Sequence, residues 1–233
     1  MIPTIEELFD LSHTQHADIF EGVQYPWEVL PLIAQYLEYM AHESKVHIET
    51  DITHAAYIGQ QISIGRGTII EPGVVIHGPA IIGKYCHLRT GTYIRGHVII
   101  GDHCTIGNST ELKNCLMFND TTVPHFNYIG DSILGHNVHL GAGAVLANLK
   151  SGGSEVTVTT LEQTYHTKLH KFGSIIGDNS EIGSNAVLNP GTIIGKRCSI
   201  YPLASFRGIL PSDSIVKVRQ QQEIVLRRGV NIE

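Results

Sequence analysis

The chain has 233 residues, of which 42% are hydrophobic and 16% are charged, and its formal net charge at pH 7 is −6. This composition excludes a disordered chain and disfavours a nucleic-acid binder, and the four cysteines are too few and too scattered for a disulfide framework or a CxxC zinc site. Because no apolar run approaches the roughly 18 residues of a membrane-spanning helix and the N-terminus is acidic, we expect a soluble cytoplasmic protein without a signal peptide.

Residues 1–50 are predicted to form an N-terminal extension that contains a helix. Within residues 26–44, after Pro26, apolar side chains recur at helical spacing. These side chains are Leu30, Ile33, Leu37 and Met40. We expect this helix to cap the first coil of the repetitive region that follows, because the ends of a solenoid need a cover.

From residue 58 onward an aliphatic or aromatic residue recurs at every sixth position. The consecutive positions are Ile58, Ile64, Ile70, Ile76, Ile82, Leu88, Ile94, Ile100, Ile106, Leu112 and Phe118. The period then slips and resumes twice. The later positions are Leu134, Leu140, Leu146, Ile176, Ile182, Leu188, Ile194, Ile200 and Phe206. A period of six is incompatible with a helix and is typical of a short strand followed by a tight turn, with glycine often following the aliphatic residue.

Stacked units of this kind predict a parallel β-helix of hexapeptide repeats over residues 51–210. A β-sandwich is disfavoured because its turns would fall every 8–12 residues, without a strict phase. Residues 149–170 interrupt the period and are predicted to be a loop ejected from one corner. Residues 211–233 are predicted to be a tail that is richer in basic residues than the coils. Its cations are Lys217, Arg219, Arg227 and Arg228.

Several segments between residues 86 and 195 narrow the assignment. They are CHLRTGTYIRG (86–96), IGNSTELKNC (106–115), VPHFNYIGD (123–131), HLGAGAVLAN (139–148), HKFGSIIGD (170–178) and EIGSNAVLNPGTIIG (181–195). Over about residues 55–210 the sequence resembles the left-handed β-helix acyltransferases. Among these it is similar to the acetyltransferase domain of the bifunctional glucosamine-1-phosphate acetyltransferase/UDP-N-acetylglucosamine uridylyltransferase.

This resemblance implies a left-handed parallel β-helix that uses acetyl-CoA as co-substrate and needs no metal. It implies N-acetylation of an amino-sugar phosphate, with glucosamine 1-phosphate as the first candidate, on the route to UDP-N-acetylglucosamine. It also implies a homotrimer with its sites at the subunit interfaces, without nucleic-acid or membrane partners. Because the sequence begins with a short N-terminal segment, we expect the uridylyltransferase domain to be absent.

His125 matches the general base of the family. It lies where the period breaks, at Pro124-His125-Phe126, so its side chain is free to point away from the core. An imidazole at this position suits the removal of a proton from an attacking amine at neutral pH.

The resemblance assigns the remaining site residues to the two substrates. Arg89, Lys113 and Tyr128 match the ligands of the sugar phosphate, and Glu111, Asn148 and Lys171 match residues that line the sugar site. On the cofactor side, Ser184 matches a residue near the thioester, Pro202 replaces a small residue near CoA, and Arg219 is the best placed cation for the CoA phosphates. Further candidate cations are Lys196, Arg197, Lys217, Arg227 and Arg228.

Two departures from the family concern the acceptor side of the predicted site. His139 stands where the family has asparagine, and the 149–170 segment is longer than its counterpart and is expected to overhang the acceptor site. The acyl-chain length and the choice between N- and O-acylation stay open.

Two other function classes stay open. The chain is a candidate non-catalytic hexapeptide partner of a nucleotidylyltransferase, although a scaffold has no need of the matched site residues. It is also a candidate metalloenzyme of the γ-class carbonic anhydrase type, although that family's pair of histidines five residues apart is missing. The histidines considered for such a site are His87, His97, His103, His125, His136, His139, His166 and His170.

Overall fold

The computed structural model describes residues 1–43, 47–52, 55–219 and 221–225, without the side chains of residues 42–43. The N-terminal region contains helices α1 (Ile5–Leu8) and α2 (Val29–Glu43). Three 3-10 turns, Leu11–His13, Ala17–Phe20 and Pro26–Glu28, connect them. The predicted helix over residues 26–44 is confirmed. Within the described ranges, no helix combines the length and the apolar character that a membrane span requires.

Short strands joined by turns run through the remaining chain. In chain order they are β1 (Tyr57–Ile58), β2 (Ile62–Ile64), β3 (Ile69–Ile70), β4 (Val75–Ile76), β5 (Ala80–Ile82), β6 (His87–Leu88), β7 (Tyr93–Ile94), β8 (Val98–Ile100), β9 (Thr105–Asn108), β10 (Glu111–Met117), β11 (Thr122–His125), β12 (Tyr128–Leu134), β13 (His139–Leu140), β14 (Val145–Leu146), β15 (Val156–Thr159), β16 (Thr164–Leu169), β17 (Ser174–Ile176), β18 (Glu181–Ile182), β19 (Val187–Leu188), β20 (Thr192–Ile194), β21 (Ser199–Ile200), β22 (Ser205–Phe206), β23 (Ile209–Leu210) and β24 (Ile215–Val216).

The strands stack in parallel into a three-sided prism. Face A contains β1, β4, β7, β14, β19, β22 and the first halves of β10 and β12. Face B contains the eight strands β3, β6, β9, β11, β13, β18, β21 and β24. Face C contains β2, β5, β8, β17, β20, β23 and the second halves of β10 and β12. Each strand bonds to the strand one coil away rather than to its neighbour in sequence, so every face is a parallel sheet. The predicted parallel β-helix of hexapeptide repeats is therefore confirmed.

A column of inward-pointing aliphatic side chains fills the prism, and nearly all of the six-residue positions lie in it. Phe118 is the exception. Leu112 pairs with Ile94, 18 positions earlier, whereas Met117 pairs with Ile100, 17 positions earlier. The chain has thus lost one residue at the corner after Leu112, and Met117 takes the inward position. Phe118 instead packs outside the prism, against the N-terminal region.

The N-terminal helices cover face C rather than the end of the first coil, which corrects the expected position of the helical cap. Face C carries apolar side chains on its outer surface as well as its inner one. The buried outer residues are Ile99, Leu116, Ile133, Ile175 and Ile193. Side chains from both N-terminal helices pack onto them, including Leu8, Leu30 and Ile33. Helix α2 lies on this face because a sheet with two apolar surfaces must be covered on both.

Residues 149–170 form an ordered antiparallel hairpin, β15–β16, rather than an irregular loop. The hairpin leaves the prism at the corner between faces A and C, as the break in the period predicts. Its apolar residues Val156 and Val158 join the cluster on face C, and Tyr165 contacts the ring of Trp27. The hairpin therefore extends the layer that the N-terminal helices form on face C, which we call the N-terminal layer. The overhang of the acceptor site by this segment stays a prediction.

His16 makes the stability of the N-terminal layer dependent on pH. Its imidazole is buried and lies 3.0 Å from the Tyr36 hydroxyl. Burial lowers the pKa of His16 to about 4, although Asp102 and Asp18 oppose the shift. In the unfolded chain this histidine has an ordinary pKa near 6.5, so the unfolded state binds the proton at a higher pH than the folded state. The stability that the neutral ring contributes is present above pH 6.5 and is lost as the pH falls toward 4.

We therefore expect wild-type protein to lose about 2–4 kcal/mol more stability between pH 7 and pH 4 than a His16→Gln variant. Comparing the two proteins removes the contribution of the carboxylates, which both share. The free energy of unfolding in urea at several pH values measures the difference. Equal losses in the two proteins would show that His16 does not cause this pH dependence.

Candidate active site

Four of the residues predicted from the sequence lie along one corner of the prism, between faces B and A. The residues are Arg89, His125, Ser184 and Pro202. Backbone bonds define their order: the carbonyl of His125 accepts from Gly143, and the carbonyl of Ser184 accepts from Leu203 in the next coil. The corner turns of successive coils stack at about 4.8 Å per coil. The predicted base and the two predicted CoA residues therefore share one line, which we call the B–A corner.

The backbone around His125 is fixed from several sides. Its N–H donates to the Asn127 side chain at 3.1 Å, and the Asn127 amide donates to the carbonyl of Gly141 in the next coil at 2.8 Å. Phe126 has a positive φ of 52°, which turns the chain sharply after His125. His125 is exposed on this turn. The backbone of His125 is therefore held at a fixed point on the surface, and its side chain is exposed there.

A second group of predicted residues lies on face A and at its opposite edge, the A–C corner. Glu111 and Tyr128 are register partners on face A, and Lys113 pairs with Gly130. The Tyr128 hydroxyl lies 3.5 Å from Asn148 Oδ1. Burial raises the pKa of Tyr128, with smaller contributions from the nearby carboxylates of Glu111 and Asp131. Tyr128 is therefore a neutral hydroxyl that is able to donate a hydrogen bond.

Gly130 is required at the centre of this group. A Cβ at this position would lie 2.6 Å from Asn148 Nδ2 and 2.7 Å from the Tyr128 hydroxyl. The absence of a side chain therefore lets Tyr128 and Asn148 converge above the backbone of the A–C corner.

Two further members of this group were not predicted from the sequence. Asp131 accepts a hydrogen bond from Asn148 and lies 3.4 Å from Lys113 Nζ. Arg95 forms an ion pair with Glu111 at 2.8 Å. Asp131 belongs to the HFNYIGD segment and directly follows Gly130 at the corner. This position was the feature of the sequence from which Asp131 could have been predicted as a member of the group.

The structure separates the predicted phosphate ligands into two groups. Lys113 and Tyr128 belong to face A and its A–C edge, whereas Arg89 lies at the B–A edge, one coil away along the prism. Lys171 is at the A–C corner, where its backbone pairs with Leu149 at the base of the hairpin. Within one chain, Arg89 and Lys113 therefore lie at opposite edges of face A.

Of the predicted cations for CoA, Lys217 lies close to Pro202, whereas Lys196 and Arg197 lie at another corner. Arg197 is held by Asp213 through two hydrogen bonds of 2.6 and 2.7 Å, and Lys196 pairs with Asp178 at 3.6 Å, both at the corner between faces C and B. Arg219 is exposed in the tail, and Lys217 lies over the ring of Tyr201. Arg227 and Arg228 lie outside the described residues.

The histidines that the structure describes do not form a metal-binding group within one chain. Across the described parts of the sequence, no three His, Cys, Asp or Glu side chains converge on a point where an ion could be held. His139 instead bonds to the Thr122 hydroxyl at 2.7 Å, and His166 lies 3.2 Å from Glu155 in the hairpin region.

Comparisons with known proteins agree with the repeat. Residues 76–166 match the GMPPB C-terminal domain family, and residues 173–208 match the bacterial transferase hexapeptide (six repeats) family. The chain is 31% identical over 202 residues to the bifunctional protein GlmU of Methanococcus aeolicus, covering 87% of this chain and 47% of that protein. It is 34% identical over 94 residues to the bifunctional sugar-1-phosphate nucleotidylyltransferase/acetyltransferase of Sulfurisphaera tokodaii, covering 40% and 23%. The chain thus spans about half the length, or less, of these relatives.

Solved structures with a similar course of the chain include UDP-N-acetylglucosamine acyltransferase from Francisella novicida. That protein is 18% identical, with a TM-score of 0.40 and coverage of 71% of this chain and 60% of that one. The acetyltransferase domain of PglB from Neisseria gonorrhoeae, in complex with acetyl coenzyme A, is 16% identical, with a TM-score of 0.31 and coverage of 80% and 62%.

Proposed function

Because the chain is a hexapeptide-repeat relative of the bifunctional GlmU proteins, we propose that it transfers an acetyl group from acetyl-CoA to the amine of an amino-sugar phosphate, with glucosamine 1-phosphate as the first candidate. The observation that carries the proposal is the exposed imidazole of His125 on a rigid corner, at the edge of face A opposite to the polar group. The product would be an N-acetylated sugar phosphate on the route to UDP-N-acetylglucosamine.

His125 is the general base of the proposed reaction. The amine nitrogen attacks the thioester carbonyl, and His125 takes a proton from that nitrogen as the C–N bond forms. The tetrahedral intermediate then collapses and breaks the C–S bond, and the CoA sulfur takes the proton back from the His125 imidazolium and leaves as the free thiol. The position of Ser184 and Pro202 on the same corner supports a thioester that lies along the B–A corner and reaches His125.

The polar group of face A is the proposed sugar-phosphate site. Lys113 supplies an ammonium and Tyr128 a hydroxyl to the phosphate, while Asn148 and Glu111 offer acceptors to the sugar. Arg89, at the opposite edge of the same face, is the proposed third phosphate ligand, and Lys171 lies at the A–C corner beside the backbone of Asn148.

We propose that this site is completed in a homotrimer. The base corner and the phosphate group occupy opposite edges of face A, so a small sugar phosphate that touches both must draw on two chains. The N-terminal layer covers face C, which leaves faces A and B for subunit contact. Exposed apolar side chains on these two faces, including Tyr57 and Ile69, support this arrangement. Sedimentation equilibrium that gives only a 25.6 kDa species under assay conditions would contradict the trimer.

Release of the CoA thiol tests the proposed function. We expect purified protein to release thiol from acetyl-CoA when glucosamine 1-phosphate is present and not when glucose 1-phosphate, which has no amine, replaces it. Thiol release that does not depend on the amino sugar would contradict the proposal.

Co-purification with a nucleotidylyltransferase but without acetyl transfer would favour the scaffold hypothesis. Stoichiometric zinc or iron in protein purified without a His-tag would favour the carbonic anhydrase type.

Lys113→Gln is expected to raise the KM for glucosamine 1-phosphate by about 10–100-fold, because the phosphate loses a hydrogen bond to a charged group. The KM for acetyl-CoA should stay within about twofold of the wild-type value. Lys196→Gln is the matched control, since Lys196 pairs with a buried aspartate in the same way but lies at the corner between faces C and B. Equal changes in the two variants would argue against a phosphate at Lys113.

A further inference from the structure

We infer that Asp131 is the positioning residue of the sugar-phosphate site, which it organises by holding Lys113 and Asn148 without touching the substrate. This inference rests on the proposed function. It identifies the Asp131 carboxylate as the group that fixes the position of Lys113, the proposed ligand of the phosphate. The Asp131 side chain is only 7% exposed, whereas that of Lys113 is 25% exposed. The Asp131 carboxylate therefore lies beneath the surface of the site, and the Lys113 ammonium lies closer to solvent.

Three side chains surround the Asp131 carboxylate. Lys113 Nζ lies 3.4 Å from Oδ2, Asn148 Nδ2 donates to the same oxygen in a short hydrogen bond, and Asn114 Nδ2 donates to Oδ1 at 2.9 Å. A buried carboxylate is stable only when it is paired and hydrogen-bonded, so these contacts are mutually dependent. Two of the three partners, Lys113 and Asn148, are residues of the proposed site.

The Asp131 carboxylate determines which atoms of Lys113 and Asn148 are free to bind a substrate. It has no hydrogen-bond donor when it is ionised, so it requires the NH2 group of Asn148 to face it. The amide oxygen of Asn148 then points toward Tyr128 and is available as an acceptor. Lys113 has three N–H donors, and because Asp131 engages it from behind, the others remain for an anion.

The backbone of Asp131 is fixed as firmly as its side chain. It has a positive φ of 47°, and its carbonyl accepts a hydrogen bond of 2.8 Å from Gly173, where the chain returns from the β15–β16 hairpin. Asn114 Nδ2 also lies 3.4 Å from the Leu30 carbonyl in the N-terminal layer. The carboxylate thus stands at the junction of the prism, the hairpin and the N-terminal layer.

Asp178 provides a matched buried aspartate outside the site. Its side chain is 5% exposed, and it lies 3.6 Å from Lys196 Nζ. It also accepts backbone hydrogen bonds from Asp10 at 2.7 Å and from His136 at 2.8 Å. These contacts attach the N-terminal layer to the prism, at the corner between faces C and B. Asp178 is therefore a structural equivalent of Asp131 with no predicted ligand of the sugar phosphate among its partners.

Steady-state kinetics of Asp131→Asn and Asp178→Asn test the inference. We expect Asp131→Asn to lower kcat/KM for glucosamine 1-phosphate about tenfold or more and to leave the KM for acetyl-CoA within about twofold of wild type. Asp178→Asn should lower the melting temperature and leave the KM for glucosamine 1-phosphate unchanged. Equal kinetic effects of the two variants, or unchanged sugar-phosphate kinetics in Asp131→Asn, would overturn the inference.

A double-mutant cycle shows whether Asp131 acts through Lys113. In a Lys113→Gln background, Asp131→Asn should lower kcat/KM for glucosamine 1-phosphate much less than it does in wild type. The reason is that the Lys113 ammonium, through which Asp131 is expected to act, is already absent. Independent, multiplicative losses would contradict the claim that Asp131 acts through Lys113.

Crystal structures of wild type and Asp131→Asn give a readout that needs no activity. We expect Lys113 Nζ to leave its position, or the Asn148 amide to rotate, in the variant. Unchanged positions of both side chains would overturn the inference even if the wild-type protein proved inactive toward amino-sugar phosphates. Inactive wild-type protein with displaced side chains in the variant would instead contradict only the proposed function.

Discussion

Replacing His125 with alanine is expected to lower kcat for acetyl transfer to glucosamine 1-phosphate by about 10²–10⁴-fold, the usual contribution of a general base. The KM values for both substrates should change little, because the imidazole is expected to act on the proton of the amine rather than to hold the phosphate or CoA. The fold should be retained, since the side chain is exposed and its backbone bonds survive the change. The rate of CoA thiol release at saturating substrates measures the effect.

His166→Ala is the appropriate control for this experiment. His166 is also exposed, but it lies on the hairpin, where it contacts Glu155. We expect this variant to keep wild-type kcat. If His125→Ala retained kcat within about twofold of wild type, His125 would not be the base, and the proposed mechanism would be wrong even if transfer occurred.

Replacing Phe118 with alanine is expected to reduce the free energy of unfolding by about 3–5 kcal/mol. Phe118 is fully buried between the prism and the N-terminal layer. Its ring lies 5.0 Å from that of Phe9 and 5.8 Å from that of Phe20, measured between ring centroids. The substitution would leave a large cavity at the point where the two parts of the molecule meet. Urea unfolding followed by circular dichroism measures the change.

Phe126→Ala separates this effect from the loss of a phenylalanine in general. Phe126 is 61% exposed, so its removal should change the free energy of unfolding by less than about 0.5 kcal/mol. A similarly small effect of Phe118→Ala would indicate that the N-terminal layer contributes little to the stability of the prism.

The interior of the prism could be predicted from the sequence because one physical constraint repeats in every coil. Each side of a coil must place one aliphatic side chain inward, and a side spans six residues, so Ile76, Ile94 and Leu112 fall in one column. The shortened corner after Leu112 could not be predicted, because Phe118 still satisfies the six-residue spacing although Met117 takes the inward position. A spacing rule records where apolar residues occur, not which side of the backbone they face.

The position of the N-terminal layer was wrong in the prediction for a related reason. The sequence of the face C strands contained the information needed to place this layer. Consecutive apolar residues such as Ile99 and Ile100 predict a sheet that is buried on both surfaces. Both residues are buried. The prediction used only the inward member of each pair. The second member required a cover along the side of the prism, and α2 and the β15–β16 hairpin supply it.

The candidate site was predicted in part. The structure brings Glu111, Lys113, Tyr128 and Asn148 together and leaves His125 exposed, while their roles stay predictions. It places Arg89 at the other edge of face A. Asp131 escaped the prediction because a positioning residue acts through its neighbours, and the matched segments assign roles only to groups that meet a ligand.

A crystal structure with CoA and glucosamine 1-phosphate tests the central claim most directly. We expect the amine of the sugar to lie within about 2.6–3.2 Å of an imidazole nitrogen of His125, with the phosphate on Lys113 and the CoA sulfur on the B–A corner. A sugar phosphate bound beyond reach of His125, with no bridging water, would contradict the claim.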